Sequence, residues 1–295
     1  MENAIQSLWR GASQAALRKR LAAPGEKVPL RLETVESVVC DDHIREKVVY
    51  DVEEGLAASA WLCRPKTGAK SPALLCCHGH GPGKDPLVGL WRGKECLEYH
   101  KLVAVRLARK GFVTLSPDRR GYGDRSQSAD GFPSREDLRR LEASRQGTSL
   151  LALDVVDSVR AIDLLAGLGM VDASRIGCLG IESGATVAAC LGALDERVKA
   201  LSLTSFLNLA VPGQDGLPSP VELCASFAPR PLLLQIPVAD PVAPRAQARK
   251  AAAALRKLYR ALGATGNCGA FEFDGVLELD YPSLEKWFDM KLRAS

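Results

Sequence analysis

The stretch RIGCLGIESGATVAA, Arg175 to Ala189, constrains the fold more than any other part of the chain. RIGCLG (175–180) reads as a short buried strand, and GATVAACLGAL (184–194) as a buried helix. Between them the backbone must turn sharply. Glycines at 180 and 184 let the strand and the helix approach closely, which leaves Glu182 at the tip of the turn. Centring the turn on Ser183 instead would need small residues at Ile181 and Ala185, and Ile181 is large. Ser183 is therefore expected as the first helical residue, supplying a backbone N–H.

The same alternation extends along the chain. KVVYDV (47–52) and LAASAWLC (56–63) read as strands of a leading meander. ALLCC (73–77), FVTLS (112–116), VKALSLTSF (198–206), RPLLLQIPV (230–238) and GAFEFD (269–274) are further strands. Helices are expected at 99–111, 149–169, 244–263 and 281–292. Strands alternating with helices imply an α/β fold with a mostly parallel twisted sheet covered on both faces. Residues 1–295 read as one domain of a size that buries a single large core, with a helical extension over about residues 1–24. In that extension Ile5, Leu8, Trp9, Ala12 and Ala16 form an apolar stripe over 3–22. Residues 126–147 are the longest irregular stretch, open to two readings: a lid or pocket wall, and a surface insertion.

Charge separates the function classes. Lys+Arg 39 against Asp+Glu 35 gives a net charge of +4, with both signs scattered. The short cluster Arg18, Lys19 and Arg20 lies on the N-terminal helix and reads as its solvated face, so no nucleic-acid surface is expected. No apolar run approaches the ~18 residues of a membrane span, and no signal peptide is visible. The cysteines (40, 63, 76, 77, 96, 178, 190, 224 and 268) are odd in number and irregular in spacing. They read as buried free thiols in a soluble, cytoplasmic protein, not as a disulfide framework or a zinc site. No metal-ligand cluster or nucleotide loop is apparent, so no metal or cofactor is implied. The oligomeric state is not legible.

Ligands in such sheets bind beyond the carboxyl ends of the strands. Four stretches sit there. HGHGPGKD (78–85) is a Gly-rich turn suited to an oxyanion hole, formed by His78, Gly79, His80 and Gly81. SPDRRGYGD (116–124) includes Tyr122, and its Asp118 and Arg119 read as ties holding the loop. The elbow carries Glu182 and Ser183. PVADPVAP (237–244) places Asp240 after a strand, which also reads as a turn aspartate before Pro241. His78 has both a catalytic reading and a structural one as a loop histidine bonded to backbone.

With CHGHGPGKD, PDRRGYGD, RIGCLGIESGA, APRPLLL and ADPVAP in this order, the chain resembles the α/β-hydrolase superfamily, near the dienelactone hydrolases and acetyl xylan esterase-like enzymes. The resemblance runs from about residue 45 to the end. It implies the α/β-hydrolase fold and a Ser–Asp–His triad. The family serine falls on Glu182, the acid on Asp240, and the histidine on or near Leu277 in FDGVLELD (273–280). All four histidines (43, 78, 80 and 100) precede the elbow, so the usual triad order is impossible and serine esterase activity is not expected.

Three readings of Glu182 follow. In the first it is a catalytic acid or base for proton transfer, cyclisation, elimination or C–C bond formation on a bulky carbonyl-containing small molecule. An oxyanion loop would stabilise the enolate, and His78 or His80 could be a second proton-transfer group; Gly79, His80, Gly81, Ser183, Tyr122 and Leu277 would line the pocket. Specialised metabolism is one setting in which such a scaffold is reused. In the second reading the chain is a catalytically inactive homologue that binds a small molecule or protein. In the third it is an ester hydrolase with an unusual nucleophile. The first is adopted as the working expectation.

Overall fold

The computed structural model describes residues 15, 17–19, 21, 27–91, 94–95, 100–144, 148–206, 218–241 and 244–293. Nine described strands form one sheet: β1 (Glu33–Val39), β2 (Ile44–Glu53), β3 (Leu56–Arg64), β4 (Ser71–Cys77), β5 (Val113–Pro117), β6 (Val171–Ile181), β7 (Val198–Thr204), β8 (Leu232–Pro237) and β9 (Cys268–Phe273). Their order across the sheet is β1-β2-β3-β5-β4-β6-β7-β8-β9. The β1–β2, β2–β3 and β3–β5 pairs are antiparallel, and all later pairs are parallel. This is the mostly parallel sheet with a leading meander that the alternation predicts. Every residue of β4 is buried, as a strand covered on both faces requires.

The described α-helices are α1 (Val103–Arg109), α2 (Arg135–Ala143), α3 (Leu150–Gly167), α4 (Ser183–Leu194), α5 (Pro220–Phe227), α6 (Arg245–Ala261) and α7 (Tyr281–Leu292). The core divides into two layers. One gathers side chains of α3, α4, α5 and α6, and the other those of α1 and α7. Thus the sheet is covered on both sides. Among the described residues no helix is long and apolar enough to cross a membrane. The eight described cysteines are free thiols, seven of them buried, as their apolar settings predict; Cys96 lies outside the described residues.

Several boundaries differ from the sequence-based expectation. Helix α1 starts at 103, not 99, because His100, Lys101 and Leu102 have φ of 57°, 49° and 54°. Left-handed backbone cannot join a right-handed helix; residue 99 lies outside the described residues. Most of the helix expected over 3–22 also lies outside them, although Leu17 and Leu21 are buried in the core. The stretch 126–147 is not wholly irregular, since it contains α2. There Ser134 and Asp137 form a reciprocal capping box, and Leu138 and Leu141 pack on Gly121.

A buried polar framework ties the loop after β5 to the core. Asp118 Oδ1 and Oδ2 accept from the Lys84 backbone N–H at 2.8 Å and its Nζ at 2.6 Å, and Oδ2 also accepts from Asp124 N–H at 2.9 Å. Helix α3 presents Asp154 and Asp157 three residues apart, on one face. Asp154 accepts from Arg119 Nε and from the Arg120 backbone N–H, both at 2.9 Å; Asp157 holds Arg120 and Arg125 at 2.7 Å. The expected structural role of Asp118 and Arg119 is what these bonds supply. His100 is buried where its Nε2 accepts the Gly79 N–H at 3.4 Å, and burial lowers its pKa to about 3.

Two stability measurements follow. Lys84→Met leaves the Asp118 carboxylate buried without its cation and should lower unfolding free energy by ~3–5 kcal/mol, read by urea titration. His100 is neutral in the folded state but protonates in the unfolded chain below its usual pKa of about 6.5. Its contribution is therefore lost as pH falls from there towards 3, on the order of 1.4 kcal/mol per pH unit. Urea midpoints of the His100→Gln variant should fall less steeply between pH 6.5 and 4 than those of the unaltered protein; equal slopes would refute the assignment.

Candidate active site

Strand β6 ends at Ile181 and α4 begins at Ser183, so Glu182 alone makes the turn. Its φ of 52° and ψ of −119° lie outside the regions that L residues favour, a strain of ~1–3 kcal/mol that surrounding contacts must offset. They are on hand. Glu182 N–H donates to Thr204 O at 3.0 Å, and Glu182 O accepts from Ala185 N–H at 2.9 Å. A Cβ on Gly184 would overlap the carbonyl oxygens of Cys77 and His78, and one on Gly180 would meet the Gly184 and Ala185 backbone. Both glycines of the frame are therefore required by close approach, as the sequence implies.

The turn presents the Glu182 side chain, half-buried, to the loop after β4. Its Oε2 accepts the His80 backbone N–H at 3.2 Å. A Cβ on Gly79 would lie 3.0 Å from the same oxygen, so only glycine lets the loop come this close without displacing the carboxylate. The carboxylate also stands at the N-terminus of α4, a position worth ~0.3–1 kcal/mol to an anion. Buried Gly81 follows and carries the chain away towards Lys84.

The two loop histidines diverge. His78 is fully buried; its Nε2 accepts the Arg119 N–H at 3.0 Å, so Nδ1 carries the proton and donates to Gly79 O at 2.8 Å. Burial first, then the Arg119 charge, holds its pKa well below the ordinary value. Both ring nitrogens of His78 are occupied by backbone, which is the geometry of the structural reading. His80 is exposed, with Nδ1 at 3.2 Å from the Tyr122 hydroxyl. Partial burial and the charges of Arg119 and Arg135 lower its pKa, leaving a neutral ring at pH 7. Tyr122 is buried; burial, Asp154 and Glu182 together raise its pKa against the opposing Arg119 charge, so it remains a phenol.

Ser183 is the first residue of α4, and its hydroxyl accepts from Arg119 Nη1 at 2.7 Å. It positions Arg119 beside the elbow. Asp240 is buried and lines a small space beyond β8 together with Ser205, Phe206 and Gln235. Ser205 follows Thr204, which holds the Glu182 backbone. Leu277 is half-buried in the loop after β9, beside Glu278, which pairs with Lys101 at 2.5 Å. The structure thus gathers Glu182, Gly79, His80 and Tyr122 directly, with Ser183 joined through Arg119.

Sequence reasoning passed over two contributors. One is the bridging role of Arg119 between Asp154 and Ser183. Its signal is present: paired arginines in DRRG and carboxylates three apart on the long helix. The other is Phe132, whose ring centroid lies 5.1 Å from that of His80. A lone Phe in a polar loop carries no such signal.

No family model matches the chain. It is 27% identical over 294 residues to a Bacillus subtilis (strain 168) protein named "Putative hydrolase YtaP", covering 89% of this chain and 94% of that one. Among solved structures, a methylesterase is similar with a TM-score of 0.75 and 19% identity, over 97% of this chain and 64% of its own. Acetyl xylan esterase 1 from Thermoanaerobacterium sp. JW/SL YS485 gives 0.61 and 16%, over 98% and 93%. Identities to the solved structures this low speak for architecture alone. The chain has the α/β-hydrolase fold, in the form found in these esterases.

Proposed function

We propose that the chain is an α/β-hydrolase-fold enzyme with an altered triad, in which Glu182 is an acid/base group acting on a carbonyl-containing small molecule without hydrolysis. The resemblance to the α/β-hydrolases puts the family's serine on Glu182 and its histidine on or near Leu277, which supports this reading. The observation that carries the reading is the 3.2 Å bond from His80 N–H to Glu182 Oε2. A donor that holds a carboxylate is also placed to receive the oxygen of an enolate. In the proposed step Glu182 takes a proton from the carbon beside the substrate carbonyl. The C–H electron pair forms a C=C bond, and the C=O π pair moves to oxygen. Neutral Glu182 releases the His80 N–H, which then binds the enolate oxygen. Glu182 returns the proton to carbon, or the Tyr122–His80 pair does so and is reprotonated from Glu182 through water, so the balance needs no co-reactant. Asp240 is proposed as an outer member of the site. The reduced thiols support a cytoplasmic setting, and specialised metabolism is the proposed context.

The same bond favours a second reading. A carboxylate that already occupies the loop's donor resembles a self-filled anion site, as in an inactive homologue that only binds. The test is deuterium uptake at the methyl of 2-acetylnaphthalene in D2O, followed by NMR. Protein-dependent uptake that falls ~10²–10⁴-fold in Glu182→Gln, with its melting curve unchanged, is expected. No uptake above buffer with the unaltered protein, for this and other enolisable ketones, supports the binding reading.

The names of the relatives keep hydrolysis in view, through attack of Glu182 on an electrophilic carbon and a covalent intermediate. Intact-protein mass after incubation with aryl and alkyl esters should show no adduct. An adduct that disappears in Glu182→Gln would replace the acid/base reading with a nucleophilic one.

A further inference from the structure

Phe132 is one of few large apolar side chains left exposed among the described residues, at 39%. Others, such as Val35, Val39 and Phe271, lie on the outermost strands of the sheet. Phe132 instead belongs to a turn fastened to the candidate site. Its backbone N–H donates to Asp130 Oδ1 at 3.0 Å, and Asp130 Oδ1 also accepts from Ser128 Oγ at 2.6 Å. Next to it, Gly131 donates to Ser128 O and accepts from Gly123 N–H, both at 3.0 Å. Gly123 directly follows Tyr122. The exposed ring is thus held by a chain of bonds ending beside the site, which costs ordering entropy that a loose surface loop would avoid.

The rings themselves form a group. His80 stands edge-on to Tyr122 and Phe132, with centroids 5.9 and 5.1 Å away and interplanar angles of 87° and 88°. The Tyr122 hydroxyl and His80 Nδ1 face each other. The contact occupies His80 Nδ1 and the Tyr122 hydroxyl, and the exposed Phe132 ring is left to meet a ligand through carbon. A sugar would need hydrogen-bond partners for its hydroxyls. A flat aromatic group needs only ring surface, for which stacked or edge-to-face contact is favourable.

We infer that Phe132 and His80, backed by buried Tyr122, form an aromatic ledge that determines specificity, seating a flat aromatic ring of the substrate with its carbonyl towards Glu182. The inference rests on the acid/base reading for the position of the carbonyl, but the ledge is testable by binding alone. Phe132 is a positioning residue for substrate, not a proton-transfer group. Its exposure makes its replacement compatible with folding, checked by thermal melting.

The experiment is titration with 2-acetylnaphthalene, followed by ligand-observed NMR, of the unaltered protein and Phe132→Ala, Phe132→Tyr and Glu182→Gln. Phe132→Ala should weaken Kd by about three- to tenfold, as loss of one aromatic pair implies. Phe132→Tyr should stay within about twofold, and Glu182→Gln should still bind. Equal Kd in Phe132→Ala, or no binding to the unaltered protein at millimolar ligand, overturns the ledge. So does methyl β-xyloside binding that depends on Phe132 while the ketone's does not. Ketone binding that depends on Phe132 without deuterium uptake upholds the ledge and removes only the acid/base reading. Uptake that persists while Phe132→Ala binds normally does the reverse.

Discussion

Arg119 bridges Asp154 in the core to Ser183 at the elbow, and the arrangement of the candidate site depends on that bridge. Its backbone N–H fixes the His78 ring, and its guanidinium lies 5.1 Å from the centre of the Tyr122 ring. One residue thereby connects the loop after β4, the loop after β5 and the N-terminus of α4. Such a side chain, largely enclosed, requires a carboxylate partner to offset its desolvation, and α3 provides one from inside the core. The site is therefore referenced to a long, largely buried helix of the core, not to its own loops alone.

That anchoring matters because the elbow is strained. Glu182 has strained backbone angles, and the bonds from its N–H to Thr204 O and from Ala185 N–H to its carbonyl hold it there, with Gly180 and Gly184 permitting the close approach. The outcome is a carboxylate held against a backbone donor with a neutral imidazole and a phenol nearby. Two histidines two residues apart have opposite duties here. One has both nitrogens occupied by backbone, and the other is exposed. Burial, not residue type, separates them.

Much of this was legible in the sequence. Apolar runs separated by glycine and helix patterns specify the parallel sheet, and the 180/184 spacing specifies the elbow to the residue. What escaped has physical reasons. Strand β1 is exposed along nearly its whole length, so no apolar alternation marks it. The start of α1 is set by three left-handed residues whose identities, His, Lys and Leu, give no hint of positive φ. Helix α2 is short, and its capping box is visible only after a polar loop is already suspected. The choice between His78 and His80 needed three dimensions, because both flank the same glycine. Asp240 and Leu277 were inferred from chain order, which says where a loop ends up but not what its side chains meet.

The bond from Gly123 to Gly131 closes the intervening chain into a loop whose ends meet. Its first residues, Asp124 and Arg125, are anchored to Lys84 and to Asp157. Residues 126–130 carry no described strand or helix, and within them Ser128 and Asp130 bond to each other and to the Gly131 and Phe132 N–H groups. The closed loop therefore sets the place of Phe132 through its own short-range bonds, separately from the contacts that hold the elbow and its strained glutamate.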